Sequence, residues 1–263
     1  MIRNESALGS KPPHTHPGRA EPEGFSLLRH TSPTLTAVLV DAAFFLKRAL
    51  RIYGRLQPEV AARRVHDIAL QHLNDGKGHR VSRLYRIFVY DAPPVAWKGH
   101  TPIGKQSIDL TLSPAAQWRS AFHDHLKSLR KIALRLGEIP TTQVHWQLKP
   151  AAMKALVDGQ REWQNLTNAD FQLNFRQKGV DMRIGLDIAS LAYKQQVNQI
   201  VLVSGDSDFV PAAKLARREG IDFILDPMWA TIRPDLHEHI DGMKSVCPRP
   251  QQDSRSNHGN GPS

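Results

Sequence analysis

The sequence predicts an α/β protein in which a mostly parallel central sheet is covered by helices on both faces. Three observations carry that expectation. Runs of aliphatic and β-branched residues, too short for helices, recur at 35–40, 85–90, 200–203 and 222–225, as in strands buried on both faces. Amphipathic stretches separate them, which is the alternation of parallel strands with crossover helices. Each run also ends at or near an aspartate: Asp41, Asp91, Asp206 and Asp226.

Taken in order, residues 1–33 are rich in Pro, Gly, His and charge without an apolar period, so a disordered leader is expected, with a similar tail over 248–263. His14 and His16 belong to that leader and read as part of a flexible tract rather than a metal site. The folded domain spans 34–247. Its first strand, TLTAVLVD, ends at Asp41 and leads into a helix whose apolar side holds Phe44, Phe45, Ala49 and Ile52. A second helix over 58–73 carries Val60, Ala61, Val65, Ile68 and Ala69, and Gly76 and Gly78 break it. The next strand, YRIFVY, ends at Asp91 before the stop Ala92-Pro93-Pro94.

Residues 97–177 have no clear period and are read as an insertion or cap. Within it a long helix is expected over 113–136, with Ser113 as N-cap and Pro114 at the first helical position. Arg119, Lys127, Arg130, Lys131 and Arg135 recur along that stretch, either as a solvated face or as one wall of a nucleic-acid groove. Trp118, Trp146 and Trp163 are read as core residues or as base-stacking platforms. A helix over 180–197 buries Ile184, Ile188 and Leu191 and leads into IVLVSGDSDF; a short helix over 209–218, a stop at Gly220, a strand to Asp226 and a helix over 234–243 complete the domain.

Composition narrows the partners. The 263 residues carry 35 Lys and Arg against 25 Asp and Glu, a net charge of +10, which favours polyanions. The single cysteine, Cys247, rules out a disulfide framework, and no apolar run reads as a signal peptide or a membrane span. A cytoplasmic protein without a membrane partner is expected; self-association into a homo-oligomer is left open.

The aspartates give the chemistry. In a parallel sheet all strands point one way, so Asp41, Asp91, Asp206 and Asp226 share the carboxyl edge, where open α/β sheets bind ligands. The helix entering the strand at 200–203 starts at that edge too, which brings Asp181, three and seven residues before Ile184 and Ile188, onto its sheet-facing side. Asp187 lies six residues further on, about 9 Å down the helix, and reads as a salt-bridge partner of Arg183 or Lys194. Crowded carboxylates need compensation. Oxygen donors with open positions suit Mg²⁺ or Mn²⁺ rather than Zn²⁺, for which no Cys/His set exists. The structural alternative is that Ser207 or Asp208 only caps the helix holding Pro211.

The motifs VLVDAAFF, IFVYDAPP, QKGVDMRIGLDIASLA and IVLVSGDSDFVPAAKLARREG resemble the NYN domain family, PIN-like ribonucleases related to the LabA group, over residues 35–241. The resemblance implies a Rossmann-like three-layer sandwich and a Mg²⁺- or Mn²⁺-dependent endonuclease acting on RNA. Asp41, Asp181 and Asp206 would form the core metal site, with Asp208 binding a second metal or orienting water, and Asp91 adding a ligand. One residue departs from the family pattern: Phe44 stands where the first motif commonly has Asn. Lys178, Arg217, Arg218, Arg130 and Arg135 are candidate phosphate contacts, and Ser204 either donates to a phosphate oxygen or tightens its turn. The alternative function is a non-catalytic RNA- or protein-binding module with a degenerate site. A sugar-nucleotide transferase would need a nucleotide pocket that the sequence does not display, and a phosphatase with an aspartate nucleophile a different residue pattern after Asp41.

Overall fold

The structure, a computed structural model, describes residues 33–250. The expectations for residues 1–32 and 251–263, including His14 and His16, lie outside the described residues. In chain order the elements are β1 (Thr34–Asp41), α1 (Ala42–Tyr53), α2 (Pro58–Gln71), β2 (Ser82–Asp91), β3 (Lys98–His100), β4 (Ser107–Asp109), α3 (Pro114–Ser128) and β5 (Ile132–Leu136). They continue with β6 (His145–Leu148), α4 (Pro150–Val157), β7 (Phe171–Asn174), α5 (Val180–Tyr193), β8 (Gln199–Val203), α6 (Val210–Arg218), β9 (Asp222–Asp226), α7 (Pro234–His237) and β10 (Gly242–Met243).

Six strands form the central sheet in the order β10-β9-β8-β1-β2-β5, and every neighbouring pair is parallel. This is the α/β three-layer sandwich expected from the strand–helix alternation. Successive residues of β1 face opposite layers. Val38 and Val40 pack with Phe45, Val65 and Phe122 of α1, α2 and α3, while Ala37 and Leu39 pack with Ile184, Ile188 and Ala213 of α5 and α6. From β1 the order runs one way through β2 to β5 and the other way through β8 to β10. The winding therefore reverses between β1 and β8, and the crevice outside their carboxyl ends is where such sheets bind ligands.

Three expectations are corrected. Residues 97–177 are not one insertion: α3 packs against α2 and β5 pairs with β2, so both belong to the central sandwich. Only the antiparallel pairs β3–β4 and β6–β7, with α4, stand apart from the sheet. The long helix over 113–136 ends at Ser128, because Lys131 takes a left-handed turn (φ 65°) and Ile132–Leu136 runs as an edge strand. The final helix is four residues long, and Gly242–Met243 adds a strand instead. Cys247, the last residue of the expected domain, is 4% exposed in the core, where burial pushes its thiol up to about 11.

Candidate active site at the carboxyl edge of the sheet

β1 is hydrogen-bonded on both sides, to β2 and β8, which fixes where it ends. Its last residue, Asp41, is the N-cap of α1: Oδ1 accepts from the Phe44 N–H at 3.1 Å. The turn after β8 is built in a similar way. The buried Ser204 hydroxyl accepts from the Asp206 N–H at 3.3 Å, and Asp206 Oδ1 accepts from the Asp208 N–H at 3.0 Å, starting the tight turn Ser207–Phe209 that enters α6. Capping is thus the work of Asp206 rather than of Ser207 or Asp208. Both caps engage one carboxylate oxygen, Oδ1, and leave Oδ2 for other partners.

Asp41, Asp206 and Asp208 line one open cleft of about 630 Å³, together with Phe44, Lys47 and Arg233. Asp181, in the first turn of α5, lies outside this lining, but its charge reaches the cleft. Burial pushes Asp41 up to about 6; the Phe44 N–H opposes this, and the Asp181 charge adds to it. Burial also raises Asp181, followed by repulsion from Asp206 and Asp208. Several aspartates elsewhere pair with cations, as Asp91, Asp187, Asp235 and Asp241 do. Among the described residues Asp41, Asp181, Asp206 and Asp208 have no ion pair, in a protein of net charge +10.

Their donor chemistry fits a hard divalent cation. Among the described residues no group of three or more His, Cys, Asp or Glu side chains is placed so that together it could hold a metal ion. Mg²⁺ needs no such group, since it is commonly held by one or two carboxylates and keeps several waters for exchange with substrate oxygens. Asp41 and Asp206 would hold it, with Asp181 and Asp208 within electrostatic reach.

Several predicted site residues stand elsewhere. Asp91 is 1% exposed and its carboxylate is committed, one oxygen to Arg119 and the other to His123 Nε2 at 2.8 Å. It is a buried structural anion rather than a metal ligand. Asp226 is likewise buried, bonded to His72 Nε2 at 2.8 Å and the Met228 N–H at 2.7 Å. Asp187 pairs with Arg135 at 3.3 Å and accepts from the Tyr90 hydroxyl at 2.8 Å, so its cation is neither Arg183 nor Lys194. Arg135 is engaged there and against the Phe88 ring. Arg130 lies in the turn entering β5, and Arg217 and Arg218 close α6 just before β9. Both places are at the amino edge, opposite the acids, and Arg217 pairs with Asp241 at 2.8 Å. Ser204 tightens its turn. Lys178 is exposed directly before α5, at the acidic edge. Trp118 is half-buried against Phe122, Trp146 donates to the His100 carbonyl, and Trp163 is 68% exposed.

Sequence reasoning missed Lys47 and Arg233, the two cations that line the acid cleft. Lys47 had a readable signal, being four and three residues after Ala43 and Phe44 and so on one face of α1 with them. Arg233 had none, because the loop from β9 to α7 has no period.

A protein of unknown function from Vibrio parahaemolyticus is similar in structure, with 13% identity and a TM-score of 0.44 over 83% of this chain and 96% of that one. An uncharacterized protein of Methanocaldococcus jannaschii is 22% identical over 140 residues, 52% of this chain and 55% of the relative; the match thus spans about half of the relative's length. The NYN domain model matches residues 117–232, a stretch that includes Asp181, Asp206 and Asp208 but not Asp41. A nuclease is the general class to which that match points. The matching motifs on α5, β8 and α6 lie around the acid cleft, and over residues 117–232 the chain matches the NYN domain family.

Proposed function

We propose that the protein is a metal-dependent endoribonuclease that hydrolyses RNA phosphodiesters at the cleft outside β1 and β8. One observation carries the reading: Asp41, Asp206 and Asp208 line one cleft at the winding reversal, the Asp181 charge acts on it from α5, and no cation of the protein is paired to any of the four. Mg²⁺ or Mn²⁺, when bound, would lower the pKa of water and screen the charge that develops on phosphate oxygens.

The chain's own residues do the rest. The two caps hold the Asp41 and Asp206 carboxylates rigidly, each with one oxygen toward the cleft. Asp208 orients the attacking water. Lys47, Arg233 and Lys178 attract the phosphates, which offsets the repulsion that the acids exert on a polyanion. Water attacks phosphorus in line, the opposite P–O bond breaks, and the departing oxygen takes up a proton. The protein is expected to act in the cytoplasm, with RNA as its partner; a homo-oligomer remains compatible with this site.

Phe44 in place of the family's Asn favours a second reading, a binding module without turnover. Incubating single-stranded RNA with the protein and Mn²⁺ separates the two. Cleavage that EDTA stops and Asp206→Asn abolishes, with RNA affinity retained, supports the nuclease. Wild type that binds but never cuts, indistinguishable from Asp206→Asn, would leave the binding module.

A further inference from the structure

Beside the acid cleft lies a second, mainly apolar cavity of about 480 Å³. Ala43 lines both, so the two cavities abut at the start of α1, directly after Asp41. Pro93 and Pro94, following β2, form part of one wall, and Phe175, 43% exposed, stands at the loop between β7 and α5. The cavity is wide enough for a small planar ligand, and such sites combine apolar walls with a few placed polar groups.

Two polar side chains meet that description. Arg119 of α3 lines the cavity, and one of its amino groups is anchored on Asp91, whose own carboxylate is fully buried and held from the far side by His123. The guanidinium has five N–H donors in a fixed fork. With one arm held, its plane is set and the remaining donors stay available. Gln177, exposed on the approach to α5, lines the same cavity.

We propose that this cavity is a nucleobase slot, receiving the base of a nucleotide whose phosphate sits at the acid edge, with guanine as the best-fitting base. The proposal deepens the ribonuclease reading and rests on it for the phosphate's position. Proline and aromatic walls accept the faces of a flat ring, as in single-strand recognition generally. Arginine reads the O6 and N7 acceptors of guanine better than any other base edge. The buried Asp91–His123 pair then has a purpose beyond stability, since it keeps Arg119 from swinging into solvent. Sharing of Ala43 makes base and phosphate sites neighbours, so a strand would be cut at a position chosen by the base that enters the slot.

The test uses the full chain carrying Asp206→Asn, so that binding is read without cutting. Two short single-stranded RNAs are compared, one with a central guanosine and one with an abasic ribose at that place. The guanosine strand should bind about ten-fold more tightly, the scale of one good bidentate contact. Adding Ala115→Trp, which projects an indole into the cavity from an exposed position in the first turn of α3, should erase the difference, and Phe175→Ala should reduce it. Thermal melting checks that each variant is folded. Equal binding of the two strands, or a preference that survives Ala115→Trp in a folded variant, overturns the slot. Failure of the ribonuclease reading looks different: wild type with Mn²⁺ cuts neither strand, while the binding ratio still decides whether the slot exists.

Discussion

The ring of Phe44 lies directly over Gly205, so that a Cβ placed on the glycine would stand 2.8 Å from Cε2 of the ring. The glycine is needed there for space, because the chain must pass beneath the ring to bring Asp206 to the cleft. Gly205→Ala should push ring and loop apart, destabilising the fold by about 1–3 kcal/mol and lowering Mn²⁺-dependent cleavage more than stability alone explains. Phe44→Leu in the same chain should restore much of both. A double-mutant cycle on melting and turnover measures the coupling, and two independent, additive effects would contradict the contact.

Asp41 predicts a pH signature in the metal-free protein. Its folded pKa of about 6 lies above the ordinary 3.8, so the fold favours the protonated acid. Stability is then lost as pH rises from about 4 to about 6, by roughly 3 kcal/mol at most. Asp41→Asn keeps the cap, since Asn caps as well as Asp, and removes the penalty. In EDTA the variant should melt above wild type at pH 7 and 8 and match it near pH 4. A variant that melts lower at pH 7 would refute the assignment.

Asp91 should behave in the opposite way. Burial works against its charge, but His123 and Arg119 outweigh it and hold the carboxyl below the usual range. Its stabilisation is present above about pH 4 and fades as acid protonates it. Asp91→Asn leaves two donors facing a neutral amide and should cost about 3 kcal/mol, with a melting temperature clearly below that of Asp206→Asn. Equal melting of the two variants would return Asp91 to the set of ligands.

The distribution of cations makes a binding prediction. Lys47→Glu, Lys178→Glu and Arg233→Glu should each weaken RNA binding and lower its salt dependence by about one unit of slope. Arg130→Glu and Arg218→Glu, at the amino edge, should change neither by much. Anisotropy titrations across a salt series distinguish these groups, and a large effect at Arg130 would mean that RNA runs over the other edge.

Much of this was legible in the residues. The runs ending at Asp41 and in VLVSGD announced strands because nothing else in a soluble domain is so apolar and so short, and aspartates at their ends followed from the direction of parallel strands. What could not be read was how each carboxylate is used. Asp91 and Asp41 look alike in sequence, and only the arrival of Arg119 and His123 from α3 separates a structural anion from a free one. β5 was hidden because IALRL is made of helix formers, and the break before it falls at Lys131 rather than at Gly or Pro. Arg217 and Arg218 were misplaced by overlooking length: α6 carries them away from the edge at which it starts.

The seam between β1 and β8 joins parts of the chain made far apart in time. Thr36 and Gln199, bonded across it at 3.0 Å, are 163 positions apart. β1, β2 and β5 with α1 to α3 can pack as the chain emerges, since synthesis delivers them first, but they hold only Asp41 of the four converging acids. The other three arrive with α5 and the turn after β8. A half-made chain thus holds no complete acid cleft, and the proposed hydrolytic capacity would be switched on by the closing of the sheet itself, once α5 and β8 have been synthesised.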